Sequence, residues 1–164
     1  MSGGSFAFDD EGLVLRLERM TLSPMRAHGL MRVLGQALVR TTQQRFETET
    51  DPWGRPWTPL LPAYAEFKRG PGILQESGAR GGLLGSIHYR AGTYEVVVGT
   101  DKIYGAVHQY GATIRAKNAK ALRFRLGPRL VQTQSVFVPS RPYLGFGPKD
   151  IEAVEAATTA FLAL

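Results

Sequence analysis

The side chains able to do chemistry in this sequence are few and scattered. His28, His88 and His108 stand singly, without a His-Glu-x-x-His pattern or a close Asp. A zinc site needs two or more such ligands on one face, and this spacing does not supply them. The chain has no Cys, which excludes thiol catalysis, thiolate metal sites and disulfides by arithmetic. Ser77-Gly78 lacks the Gly-x-Ser-x-Gly elbow that exposes an acyl-transfer nucleophile. Gly78-Ala79-Arg80-Gly81-Gly82 lacks the Lys-Ser/Thr ending of a phosphate-binding loop and reads as a mobile loop. Glu47, Glu49, Asp51, Glu66 and Glu76 could pair in space for glycoside cleavage, but the first three crowd a helix end beside a proline turn, where acids are commonly solvated. No residue is assigned to catalysis, to a cofactor or to a metal.

Charge is the stronger signal. The net charge is +6 and the isoelectric point is near 9.9, which favours an acidic partner. Between Asp101 and Asp150 there is no acid, yet Arg115, Lys117, Lys120, Arg123, Arg125 and Arg129 all fall there. Those six are candidate contacts to DNA phosphates, which Lys and Arg neutralise whatever the base sequence. No helix-turn-helix, zinc-finger or aromatic RNA-binding signature accompanies them. A solvated basic face is the plain alternative.

The elements that must position these residues follow from periodicity. The 164 residues fit one domain, 1–164, able to bury a core without staples. Leu13, Leu15 and Leu17 alternate, so 13–19 reads as a strand. Ser23-Pro24 offers a capping hydroxyl and a proline suited to the first helical turn. The stripe Leu30, Val33, Leu34, Ala37, Leu38 and Thr41 carries that helix to about Phe46, ahead of Asp51-Pro52. Strands are expected at 84–91 and 94–99, closed by Gly92-Thr93. A short helix or turn follows, ending at Gly111, and then 113–115 and 121–126 read as a further pair of strands. In the latter, Leu122, Phe124 and Leu126 alternate with Arg123 and Arg125, giving one buried and one cationic face. Val136-Phe137-Val138 is the last strand, and Pro148 opens a closing helix with the apolar stripe Ile151, Val154, Thr158, Phe161 and Leu162.

The fold class is therefore α+β: a small, mainly antiparallel sheet packed with a long helix in the N-terminal half and a C-terminal helix. The proline-rich segment 53–85, with a short helix at 63–68, is expected as a long extended, flexible arm. It is either a contact arm or a wrapped loop whose Trp53 and Trp57 plug the core. No run of eighteen apolar residues exists and Met1-Ser2-Gly3-Gly4-Ser5 resembles no signal peptide, so no membrane role is expected.

Read in order, Trp57-Thr58-Pro59-Leu60, Lys68, Ile73-Leu74-Gln75-Glu76-Ser77-Gly78, Gly85-Ser86-Ile87, Val98-Gly99-Thr100, Tyr104 to Gly111 and Val138 to Gly145 form a recognisable series. Its most specific pieces are His-Gln-x-Gly at His108–Gly111 and Pro-x-Arg-Pro-x-Leu-Gly at Pro139–Gly145. With these, the chain resembles the phage virion-morphogenesis family, which includes tail-completion and Mu-like morphogenesis proteins, over roughly residues 30 to 162. It departs where Ala79-Arg80-Gly81-Gly82 lengthens the link after Ser77-Gly78.

The resemblance implies a structural protein, not an enzyme, acting at a late step of virion assembly: tail completion or head–tail joining. Related neck and tail-terminator proteins are ring-shaped oligomers, so the implied partners are further copies of the chain and tail tube, terminator or head-connector proteins. Its implied place is the tail or neck of the virion, after assembly in the host bacterial cytoplasm. Candidate contact residues are Trp53, Trp57, Tyr64, Lys68, His108, Gln109, Gly111, Arg141 and Tyr143. Arg141 presents a planar five-donor fork, set either against a neighbouring copy or inside one subunit. A basic, sequence-independent DNA-binding protein is the second reading, and a small hydrolase the third.

Overall fold

The structure, a computed structural model, describes residues 4–9, 12–17, 22–76, 82–117 and 119–164. It is α+β, as expected. Strands β1 (Gly4–Asp9), β2 (Gly12–Leu17), β3 (Ile87–Ala91) and β4 (Glu95–Thr100) form one antiparallel sheet in the order β1-β2-β4-β3. Helix α1 (Pro24–Thr48) lies against β3 and β4, and α4 (Pro148–Leu162) lies along α1. The two helices run antiparallel, since Asp150 meets Thr41 and Arg45 while Phe161 lies over Gly29 and Arg26.

Helix α1 begins where Ser23 Oγ accepts the Arg26 N–H, with Pro24 in the first turn. It ends where Glu49 turns left-handed at φ 53° and the Asp51 carboxylate accepts the N–H groups of Trp53 and Arg55 at 2.8 and 2.9 Å. Its inner face supplies Leu30, Met31, Leu34, Leu38 and Phe46 to a core completed by Leu15, Ile87, Val96 and Val98.

Several expectations change. Strand β1 was not expected, and Glu18 and Arg19 of the expected strand lie outside the described residues. Leu84–Ser86 forms a 3-10 turn before β3, closed by the Ser86 N–H on the Leu83 carbonyl. The segments 113–115 and 121–126 do not pair with each other. Strand β5 (Ala112–Arg115) pairs with β8 (Ser135–Val138), and β6 (Leu122–Leu126) pairs with β7 (Arg129–Thr133), a strand not expected. The reason is local: Gly127-Pro128 closes a tight hairpin, so β6 finds its partner immediately after it in the chain. The inner face of β6 is only half buried, because a two-stranded ribbon covers itself incompletely; Phe124 is 39% exposed. On α4, Val154, Thr158 and Phe161 face α1, but Ile151 and Leu162 are exposed and Ala157 takes the inner position instead.

The segment after α1 wraps the body. The Trp57 ring stands edge-on to Phe46 at 5.5 Å, and Ile73 and Leu83 also enter the core. The short helix α2 (Pro62–Ala65) sits on its outside, and Phe67 packs against Gly127 at the tip of the β6–β7 ribbon. Residues 77–81, with most of the glycine-rich loop, lie outside the described residues.

Candidate functional site: two signature elements closed on each other

The two most specific sequence elements meet. Helix α3 (Gly105–Tyr110) carries His108 and Gln109 and stops at Gly111, whose φ of 73° and near contact with the Ser140 backbone both exclude a side chain. The Gln109 carboxamide acts as a clamp. Its Oε1 accepts the N–H groups of Tyr143 and Leu144, each at 3.0 Å, and its Nε2 donates to the Leu144 carbonyl at 2.8 Å. The Arg141 N–H donates to the His108 carbonyl at 2.7 Å. The Arg141 guanidinium turns the other way and donates to the carbonyls of Thr58 and Pro59 at 2.7 and 3.1 Å. Trp57 Nε1 completes the bracket by donating to the Pro142 carbonyl at 2.9 Å.

A second buried knot anchors the same loop to the helices. The Asp150 carboxylate pairs with Arg45, accepts from Thr41 and accepts the Gly147 N–H at 2.8 Å, capping the first turn of α4. Arg45 also donates to the Tyr143 carbonyl at 2.8 Å. Burial pulls the Arg45 pKa down while the Asp150 charge beside it pushes it up. A Cβ at Gly147 would overlap the Pro52 carbonyl, so only glycine admits this approach.

Of the candidate contact residues, Trp57, Gln109, Arg141 and Tyr143 lie inside one subunit, each less than a tenth exposed. Of the two possibilities for Arg141, the buried one within a subunit is what the structure contains. Trp57 plugs the core and Trp53, 58% exposed, does not. Burial raises the Tyr143 hydroxyl well above its ordinary pKa. Tyr64 is exposed, and Lys68 and His108 are half buried. Lys68 donates to the Gln75 carbonyl, and burial lowers its pKa. His108 is held below the ordinary 6.5 by burial first and by Arg141 second, with Glu76 opposing, and its buried Nδ1 has no hydrogen-bond partner among the described residues.

Tyr64, Lys68, His108 and Arg141 border an apolar groove of about 500 Å³ between the arm, the β6–β7 ribbon and β8. Leu60, Leu61 and Tyr64 form one wall, Phe124, Leu126 and Val131 the other, and Tyr104, His108 and Arg141 close the end. Arg115, Lys117, Lys120, Arg123, Arg125 and Arg129 are all exposed, and none has an acidic partner among the described residues.

Little here resembles a reaction centre. Among the described residues no group of three or more His, Asp and Glu is placed to hold a metal ion, and no helix is long and apolar enough to cross a membrane. Of the five acids that might pair, three are engaged in structure: Glu49 accepts the Ile73 N–H at 2.7 Å, Asp51 holds its turn, and Glu76 accepts the Tyr104 hydroxyl at 3.3 Å, while Glu47 and Glu66 are exposed. The Arg45–Asp150 knot was not expected. Its only sequence trace is that Thr41, Thr42 and Arg45 continue the inner stripe of α1 with polar residues, which demands buried partners.

A model of the phage virion morphogenesis family matches residues 8–163. The chain belongs to that family. It is 30% identical over 123 residues to protein G of Escherichia phage Mu, whose name assigns it to capsid assembly, covering 73% of this chain and 69% of that one. It is 24% identical over 155 residues to the Mu-like prophage FluMu G protein 1 of Haemophilus influenzae, covering 92% and 89%. No solved structure matches it. Family membership makes this a phage structural protein of virion assembly.

Proposed function

We propose that this chain acts at a late step of virion assembly, completing the tail end or joining the tail to the filled head, and that it does so as a closed ring of copies rather than by catalysis. The reading rests on one observation. In a member of a virion-assembly family, the polar residues with the strongest sequence signal are spent on locking a wrapped arm in place, and what remains exposed includes large apolar side chains along an apolar groove. Leu61, Tyr64, Phe67, Phe124 and Phe137 are all at least 39% exposed. Surfaces of this kind mark contacts between proteins. A head-to-tail contact closes into a ring when its rotation divides a full turn. The partners in this reading are further copies, then tail tube, terminator or head-connector proteins, and the place is the tail or neck of the virion.

The test is deletion of the gene from the phage or prophage that carries it, followed by electron microscopy of lysates. The expected outcome is filled heads and tails that remain unjoined or unfinished, with infectivity restored by the chain supplied in trans. Normal particles from the deletion would refute the proposal.

The exposed cations favour a second reading, sequence-independent contact with genomic DNA. Here the logarithm of duplex affinity falls with the logarithm of salt by roughly 0.9 per phosphate neutralised, and replacing Arg123 and Arg125 lowers that slope by about 2. A slope unchanged by those replacements removes it.

A further inference from the structure

The two small ribbons are consecutive stretches of one long hairpin, 112–138. Strands β5 and β8 form its base, β6 and β7 its outer part, and the Ala116 N–H on the Gln134 carbonyl at 3.3 Å lies between them. The ladder is interrupted there. Six residues separate Arg115 from Leu122 on one strand, against the single Gln134 between Thr133 and Ser135 on the other. Extra residues on one strand break the pairing and let a ribbon bend at that point.

Beyond the interruption the ribbon has little to hold it. Among the described residues, no apolar side chain of 112–138 belongs to the core or packs against it. Leu122, Leu126 and Val131 are half buried, and Phe124 is 39% exposed. A two-stranded ribbon is marginal by itself, and a segment with few buried apolar contacts opens at a lower free energy than the whole domain. Its tip, however, is fastened. Gly127 has a φ of 59°, and a Cβ built there would lie 2.4 Å from the Phe67 ring, so the ring rests directly on the backbone of the turn. Between that fastening and the interruption the ribbon spans the groove of about 500 Å³, with Phe124, Leu126 and Val131 on one wall and Leu60, Leu61 and Tyr64 on the other.

We propose that the β6–β7 ribbon is a hinged lid over this groove, pivoting where the long hairpin is interrupted and latched at its tip by Phe67 of the arm. Opening bares both apolar walls at once while the core, which the ribbon does not enter, stays folded. Exposure of this surface is then a property that changes within one fold.

Two measurements on the full-length chain test it. In native-state hydrogen exchange, amides of 122–133 are expected to exchange well before those of α1 and β4. Phe67→Ala raises ribbon exchange on the order of tenfold and leaves α1 unchanged, and Phe67→Leu, which keeps an apolar contact, falls between. The chain has no cysteine, so a single introduced thiol reports access to the groove. The thiol of Val131→Cys, on the groove wall, reacts with a bulky maleimide more slowly than that of Leu130→Cys, which is exposed on the outer face. Adding Phe67→Ala speeds the first on the order of tenfold and leaves the second unchanged. Ribbon amides that exchange no sooner than those of α1, or α1 protection that falls in step with the ribbon in Phe67→Ala, overturn the proposal, because the ribbon then opens only with the whole domain. Ribbon exchange or groove labelling that Phe67→Ala leaves at the wild-type rate overturns it as well.

Discussion

Replacing Asp150 by Ala tests whether the buried knot holds the building block together. The carboxylate is 1% exposed and its partner Arg45 6%, so neither charge is relieved by water. The replacement removes the ion pair, the bond from Thr41 and the bond from the Gly147 N–H that caps α4. Stripping one partner from a buried pair costs about 3–5 kcal/mol, because the other charge stays buried and unpaired. The lost cap is worth ~1 kcal/mol on its own, and the two effects overlap since they share one carboxylate. An overall loss of about 3–5 kcal/mol is therefore expected, a large share of the 5–15 kcal/mol of a typical domain. Urea unfolding followed by circular dichroism measures it. The double replacement Arg45→Met with Asp150→Leu separates the causes: it removes both charges, so it should be less damaging than Asp150→Ala alone. A loss below about 1 kcal/mol for Asp150→Ala, or a double variant worse than the single, would refute the reasoning.

Other consequences follow from the same geometry. Gln109→Leu keeps the volume but strands the N–H groups of Tyr143 and Leu144, and should cost about 2–5 kcal/mol in the same unfolding assay, with Gln109→Glu recovering part of it through its remaining acceptor. Trp57→Ala should cost about 3–5 kcal/mol, whereas Trp53→Ala, at an exposed position, should change stability by no more than about 0.5 kcal/mol. His108 has a folded-state pKa below its ordinary 6.5, so the unfolded chain takes up the proton first; stability is retained above that value and lost as pH falls through it towards the folded pKa. Urea titrations at pH 7 and pH 5 should show a larger drop for the wild type than for His108→Asn, and equal drops would remove His108 as the cause.

The features legible in the sequence are those with local causes. The α1 stripe, the Ser23-Pro24 start, the Gly92-Thr93 hairpin and the Gly111 stop each depend on residues within a few positions, and each is present. Pairing across distance was not legible. Strands β5 and β6 follow one another in sequence, but β5 takes β8, some twenty residues on, and nothing in its own composition announces that choice. The arm had two readings because Trp53 and Trp57 are chemically alike, and only the position of the Pro142 carbonyl and Phe46 decides which one enters the core. The signature elements were visible as motifs, yet their use was not. Gln109 and Arg141 could as readily have met a neighbour as the backbone of their own chain. Spacing alone puts Ile151 and Leu162 in the stripe of α4, but packing against α1 turns the helix so that both are about half exposed and Ala157 faces inward.

The most direct test of the proposed role is cryo-electron microscopy of finished particles carrying this chain, with its density traced by the α1–α4 pair and the β6–β7 ribbon. A closed ring of copies at the tail end or neck is the result expected. Complete infectious particles whose tail end and neck contain no copy of this fold, or hold it as isolated single subunits, would contradict it.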